Sequence, residues 1–529
     1  MSLSAPPPPR RRIPRTRPRL RAALAALALA VSAAACDRAP ADTGAHATPQ
    51  AVDGGGLETH PYMAAPGRNS MHADSYASDT APFPAPRNKH PKVTWASKAL
   101  PDAPGEPAQC AGMVFLKDGT PVAHCGAASS RPALRVIDPD TLKDLALYPL
   151  PVRPSTIVAR TSGDPSVMFG DTSGAYFYLD HRDRVVIADA AQHLQRIAVE
   201  EDAAGRWRFR QVDDWDLSRH LPNDCATAKN PSPKGECDPV TAAQPDWQGL
   251  IWWVTRGGRV GTVNPDTGAV KSIRLGGEGI QNSFAAGPDG VSIAGDRRLY
   301  QMRANRQGVP QIVWSQGYDR GERRKPGQID QGTGTTPTLI GDDYVAITDN
   351  AEPRMHVNVY RRAADPGGER LVCSVPVFGD GRSATENSIV AWGDGMAVEN
   401  NYGYESPRSV RGGRSVDGGV TRVDIDKNGA GCHVRWKSDE RSPTVVMKLS
   451  RANGLLYLYT KQPSADGTDT WHLTGVDWKT GRTRYRVATG TGDAFNNNWS
   501  PISLAPDGTA YVSTFGGLLS VRDRGDTAR

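Results

Sequence analysis

At 529 residues the chain is too long for one average domain but of a length that suits a repeat array. Its formal charge of +6 belongs to the first 35 residues, which hold seven arginines and no acidic group; taking those seven charges away leaves about −1. A near-neutral body without an RNA- or DNA-binding motif excludes a basic nucleic-acid surface.

From the N-terminus, Arg10, Arg11, Arg12, Arg15, Arg17, Arg19 and Arg21 form a basic segment. Residues 22–35 are apolar apart from Ser32, too short to cross a bilayer as a mature helix, and end in three alanines before Cys36. That order reads as a lipoprotein signal peptide over 1–35, with Cys36 the lipidated first residue and membrane attachment through its lipid. The expected location is the periplasmic face of the cell envelope, with the inner and outer membrane both open. Pro14 and the missing Ser-Arg-Arg-x-Phe context argue against twin-arginine export. Residues 36–60, rich in Ala, Pro, Asp, Thr and Gly, are expected to be a flexible tether. Residues 61–91 place His72, Asp74, Tyr76 and Asp79 among Met63, Met71 and Phe83, the composition of an ordered arm lying across a folded body.

Lipidation of Cys36 leaves six cysteines, an even number in a compartment where disulfides persist. Neighbours in sequence suggest Cys110–Cys125, Cys225–Cys237 and Cys373–Cys432, one of 15 connectivities that six cysteines allow. No close Cys/His pair has zinc-type spacing.

Residues 92–529 read as an all-β repeat array. Asp-Gly turns recur before strands, as in Lys117-Asp118-Gly119, Pro288-Asp289-Gly290, Gly393-Asp394-Gly395 and Pro506-Asp507-Gly508. A second turn follows a strand: Val136-Ile137-Asp138-Pro139-Asp140-Thr141, Val263-Asn264-Pro265-Asp266-Thr267-Gly268 and Val476-Asp477-Trp478-Lys479-Thr480-Gly481. Asp424-Ile425-Asp426-Lys427-Asn428-Gly429 fills the same slot and is a turn, since the twelfth position of a calcium loop would be Arg435. Aligned turns predict units starting near residues 110, 154, 207, 280, 335, 385, 443 and 499, the third stretched by a loop over 211–247. The last unit lacks an outer strand. Val93-Thr94-Trp95-Ala96 matches the fourth strands Ile312-Val313-Trp314-Ser315 and Val434-Arg435-Trp436-Lys437, so an N-terminal strand is expected to complete the C-terminal blade. The predicted architecture is a single β-propeller of eight four-stranded blades, with seven as the alternative.

The repeat resembles the quinoprotein-alcohol-dehydrogenase-like (PQQ-like) propellers, and most of residues 61–522 is similar to a group of secreted bacterial members. The residues carrying the resemblance are Gly332-Thr333-Gly334-Thr335-Thr336-Pro337-Thr338, Ile347-Thr348-Asp349-Asn350, Ala384-Thr385-Glu386-Asn387-Ser388 and Glu399-Asn400-Asn401-Tyr402-Gly403-Tyr404. The resemblance implies the fold and brings no activity with it. The dehydrogenases carry pyrroloquinoline quinone, many beside an adjacent cysteine pair. This chain has no adjacent cysteines and lacks the regular tryptophan signature in its turns, which argues against PQQ. It has no C-x-x-C-H for covalent haem.

Candidate chemistry lies where inner strands begin. Pro154-Ser155-Thr156, Asn282-Ser283, Thr336-Pro337-Thr338, Asn387-Ser388, Pro443-Thr444 and Ser500-Pro501, the last led by Asn496-Asn497-Asn498, put amides, hydroxyls and prolines where a sandwich core would have Val or Ile. Asp349, Asn350, Glu386, Glu399, Asn400, Asn401 and Asn497 complete a predicted polar funnel, a hard-oxygen site for calcium or a small polar molecule. The alternative is that these groups satisfy strand ends and channel water. His72 and Asp74 are secondary candidates for capping the funnel, and His356 reads as an exposed or hydrogen-bonded histidine. There is no G-x-S-x-G, H-E-x-x-H or P-loop motif. Three functions stand: an envelope lipoprotein binding a small polar ligand or protein partner at the channel mouth, a calcium-dependent hydrolase or lactonase, and a quinone-dependent oxidoreductase.

Overall fold

The computed structural model describes residues 49–52, 57–98, 108–127, 131–168 and 171–525. The expected signal peptide and Cys36 lie outside them. Eight four-stranded units form the blades of an eight-bladed β-propeller. The innermost strands of blades 1 to 8 are Ala108–Phe115, Tyr178–Leu179, Val240–Pro245, Ala285–Gly287, Thr338–Ile340, Val390–Trp392, Lys448–Ser450 and Ile502–Leu504. Outer strands such as Asp144–Pro149 and Leu371–Pro376 alternate between exposed and half-buried positions. Strands buried on both faces are near-continuous apolar runs, as in Ile251–Thr255 and Leu455–Thr460. Trp252 and Trp253 are both fully buried and pack into different clusters, one on each side of blade 3.

The turn chemistry acts as the sequence implies. Gly119 and Gly508 have φ of 91° and 86°, open to glycine without strain. Asp477 Oδ1 accepts from the amide and hydroxyl of Thr480, closing the second kind of turn. The N-terminal strand Pro91–Ser97 pairs antiparallel with Gly517–Asp523, Trp95 opposite Leu519, and completes blade 8. All three disulfides form as paired in sequence: Cys110–Cys125 joins the first two strands of blade 1, Cys225–Cys237 lies in the loop before blade 3, and Cys373–Cys432 joins the outer strands of blades 5 and 6.

Two unit boundaries differ from expectation. Pro154-Ser155-Thr156 opens a helix, α1 (Pro154–Ser162), with proline in its first turn and Gly163 ending it at φ 72°. Blade 2 instead begins at Tyr178, and Trp207–Asp216 is its outer strand; blade 3 begins at Val240. The inner strand of blade 2 has only two residues, too few for a periodic signal. The end of the expected tether is also seated on the body. Val52 donates its amide to Arg451, Leu57 packs against the cores of blades 4 to 7, and His60 is buried beside Trp247.

The arm governs the centre. Its amides and carbonyls bond first to blade 2 (Ala64 to Leu179) and blade 1 (Phe115 to Arg68). It then meets four consecutive inner strands at their middle residues. Ala286, Leu339, Ala391 and Leu449 donate their amides to the carbonyls of Ser75, Tyr76, Ser78 and Asp79. Thr80–Ala81 continues as a short parallel strand on Lys448–Ser450, and Arg87 and Lys89 give their amides to the Asp523 carboxylate in blade 8. The inner edges of blades 4 to 7 thus find acceptors that they would otherwise lack. Asp74 accepts the amides of Tyr76 and Ser78 and holds the arm's curve. Burial pushes its carboxyl up to about 6.

At the end of this run Asp79 is fully buried, with Lys448 Nζ 2.5 Å from its Oδ1. Lys448 also donates to the Met71 carbonyl. Removing one partner of such a pair strands the other charge. Asp79→Ala is expected to destabilise the fold by about 3–5 kcal/mol, and Asp79→Leu combined with Lys448→Met to recover most of that loss. Denaturant midpoints of the three forms check it; an Asp79→Ala protein as stable as wild type would show that this pair does not lock the arm.

Candidate functional site

The arm crosses the inner strands beyond their first residues, and the strand starts enclose a cavity of about 280 Å³. Met71 and His72 of the arm line it from below, and residues from the starts of blades 1, 4, 5, 6, 7 and 8 surround it. Arg153, Ser155 and Thr156, at the N-terminal end of α1, line it from the loop between blades 1 and 2.

Each predicted site residue has a definite place. Glu386 lines the cavity with both carboxyl oxygens engaged, one by the Gln281 amide and one by Ile329 N at 2.8 Å. Burial, with Asp330 adding, pushes its carboxyl well above the ordinary 4.5. Asn387 also lines the cavity and donates Nδ2 to the Val445 carbonyl at 2.9 Å and to Glu399. Glu399 stands behind Asn387 and takes a second amide proton from Asn401 at 3.2 Å. Burial pushes it up to about 8. Its Oε2 has no well-directed partner. Asn401 turns its Oδ1 to the Glu386 amide, and so fixes the segment that carries Glu386 and Asn387.

Asn282 lines the cavity with its Oδ1 accepting from Tyr176 at 3.0 Å. Asn497 donates to the Ser513 carbonyl at 2.9 Å and holds the loop before blade 8. The other three predicted residues serve loops and turns. Asp349 accepts from His356 at its backbone and ring nitrogens, and so caps the hairpin between two strands of blade 5. Asn350 donates to the carbonyls of Arg320 and Arg323, and Asn400 to those of Arg382 and Gly418. Among the described residues, no group of three or more His, Cys, Asp or Glu side chains could hold a metal ion. The carboxylates predicted to share a calcium ion are therefore dispersed: Asp349 is tied to its own hairpin, and Glu399 lies behind Asn387.

His72 stacks on Tyr176 with ring centroids 5.7 Å apart. Its Nδ1 lies 3.3 Å from Asp79 and 3.0 Å from Ser388 Oγ, while Nε2 has no partner among the described residues. Serine and aspartate meet the same nitrogen, so the three do not form a nucleophile relay, which needs the serine on Nε2.

The sequence did not single out Gln109, Arg153, Asp171, Tyr176 or Trp499, all of which line the cavity. Arg153, Asp171 and Tyr176 lie in the stretch where blade 2 was placed too early. Burial opposes ionisation of Asp171, but Arg153 and the hydroxyls of Ser155 and Ser173 outweigh it and hold the carboxyl below its usual range. His124 is pushed down to about 3 by burial, with the Arg153 charge adding, and is neutral.

Glu399 has a measurable consequence. Its folded pKa near 8 exceeds the ordinary 4.5, so between these values the folded chain keeps a proton that the unfolded chain releases. Stability attributable to this group therefore falls as pH rises from 4.5 to 8 and is flat above. Glu399→Gln keeps an acceptor for Asn387 and Asn401 and removes the titration. It is expected to match wild type at pH 4 and to exceed it by a few kcal/mol at pH 8, at about 1.4 kcal/mol per unit of displacement. Parallel stability–pH profiles for the two proteins would refute the assignment.

No family model and no curated protein sequence matches the chain. Solved structures do. BamB from Moraxella catarrhalis is 14% identical, with 81% of this chain and 97% of that one covered and a TM-score of 0.42. Sqt1 from Chaetomium thermophilum, bound to the N-terminus of the ribosomal protein L10, is 11% identical, with 84% and 99% covered and a TM-score of 0.45. Sqt1 solved alone is 12% identical with the same TM-score. At such identities and scores the eight blades themselves, not the neighbours, establish this chain as a β-propeller.

Proposed function

We propose that this protein is an exported, lipid-anchored propeller that binds a small polar ligand in the cavity at its channel mouth. One observation carries the ligand reading. Asn282, Asn387 and Asn498 each have one end of the amide held by the protein, through Tyr176, Val445 and Tyr404 respectively. The other end of each, Asn282 Nδ2, Asn387 Oδ1 and Asn498 Nδ2, makes no hydrogen bond among the described residues. Amides fixed at one end and open at the other, in a concave site with apolar walls, are pre-organised for recognition. The anchor reading rests on the basic, apolar and Ala-Ala-Ala-Cys order of residues 10–36.

Cys36→Ser is expected to move the protein from the membrane fraction to the soluble one without lowering its melting temperature; a membrane-bound variant would remove the anchor. For the cavity, thermal shifts against a panel of small polar metabolites are expected to raise the melting temperature of the full chain. Ala111→Phe, which fills the cavity from blade 1, is expected to abolish the rise. A shift that survives the filling would move binding to the outer faces, where a protein partner would sit, and no shift with any compound would reject the small-ligand reading.

A further inference from the structure

We propose that the ligand of this cavity is a neutral, polyhydroxylated ring, a monosaccharide or cyclic polyol, seated against the indole of Trp499. The inference rests on the small-ligand reading above and narrows it by charge, by hydrogen-bonding pattern and by the shape of the aromatic wall.

Charge comes first. Arg153 and Asp171 line the cavity and offset one another, and Arg153 Nη1 also donates to the Asp171 carbonyl at 3.3 Å. Glu386 has both oxygens occupied by the Gln281 amide and Ile329 N, and burial keeps His124 neutral. Arg153 and Asp171 bring opposite charges to the same wall, so the lining favours neither an anion nor a cation. A neutral ligand meets no uncompensated charge.

The polar groups come next. They are amides and hydroxyls distributed around the ring of blades. Asn282 precedes blade 4, Asn387 blade 6 and Asn498 blade 8, and each has an open amide end. Thr336, before blade 5, lines the cavity, but its Oγ1 is itself buried beside the Tyr176 hydroxyl. Open donors and an open acceptor on several sides call for a ligand with groups that both donate and accept along much of its perimeter. Hydroxyls on a ring do that; a flat aromatic ligand with one or two polar atoms leaves most of these groups unpaired, at a cost.

The wall is built to stay in place. Asn498 and Trp499 are consecutive residues at φ 43° and 64°, a left-handed conformation that is strained for non-glycine side chains. Tyr404 clasps both, donating its hydroxyl to Asn498 Oδ1 at 3.0 Å and meeting the indole edge-on at 5.4 Å. Strained backbone held by its surroundings is a feature of ligand clamps. Trp499 stays only partly buried and lines the cavity, so it offers an apolar aromatic surface to the C–H face of a ring whose edge is polar.

The test is calorimetric titration of the full-length Cys36→Ser chain. Probes are D-glucose, D-galactose, N-acetylglucosamine and myo-inositol, the charged analogues glucuronate and glucosamine, and the non-sugar metabolites serine and nicotinamide. At least one neutral ring is expected to bind saturably, and its charged analogue at least ten-fold more weakly. Trp499→Ala is expected to weaken binding at least ten-fold and Trp499→Phe to restore most of it. Asn282→Leu removes an open amide donor and is expected to weaken binding several-fold in a protein that still melts cooperatively, which covers the case in which Trp499→Ala fails to fold. If only charged or non-sugar probes bind, the small-ligand reading stands and this assignment falls; if nothing binds, both fall.

Discussion

The structure depends on how the inner edges of its sheets are satisfied. Four consecutive inner strands are only three residues long, and each has a middle amide that no neighbouring strand can accept. An unpaired buried amide costs about as much as the hydrogen bond it forgoes, and here four are arrayed in one channel. The arm meets all four with carbonyls from residues 75, 76, 78 and 79. Its residues are correspondingly small or polar, and Ala73, Ala77 and Asp79 take left-handed conformations that let it bend from blade to blade. The cavity is what remains of the channel where the arm does not reach.

The propeller was legible because its signals are local. Val93 and Trp95 share a pattern with two outer strands, and that match located the closing strand to within two residues. Asp-Gly and Asp-x-x-Thr turns act through side chains two or three positions away, so a single sequence displays them whole. Blade 2 was not legible in this way. Its inner strand is Tyr178 and Leu179 alone, and the proline at 154 that resembled a strand start belongs equally to the first turn of a helix.

The site was legible only in part, and for a physical reason. Residue type reports that a group is polar, not which way it turns. Glu386 and Asn387, before the inner strand of blade 6, reach the cavity, whereas Asp349, after the second strand of blade 5, folds back on His356. Asn400 and Asn401 are adjacent, yet one staples a loop and the other fixes the Glu386 amide. A strand start sends successive side chains to opposite sides, so a cluster of amides in sequence divides between lining and support. Trp499 was hidden differently: nothing in its sequence foretells that Tyr404, 95 positions away in the chain, holds it at the mouth.

The arm and the closing strand are one continuous segment, from Met63 to Ser97, and this has a consequence for assembly. That segment precedes every blade in the chain, yet its partners extend from Phe115 to Asp523. Blades can form from hairpins between neighbours as the chain lengthens, but the axis and the last sheet wait for strands Lys448–Ser450 and Gly517–Asp523. Such contacts carry the largest loop-closure entropy and arrive late. Until they do, the inner edges of the early blades stand open, and the nascent protein is at its most vulnerable to pairing with another chain. The propeller is therefore finished by its beginning.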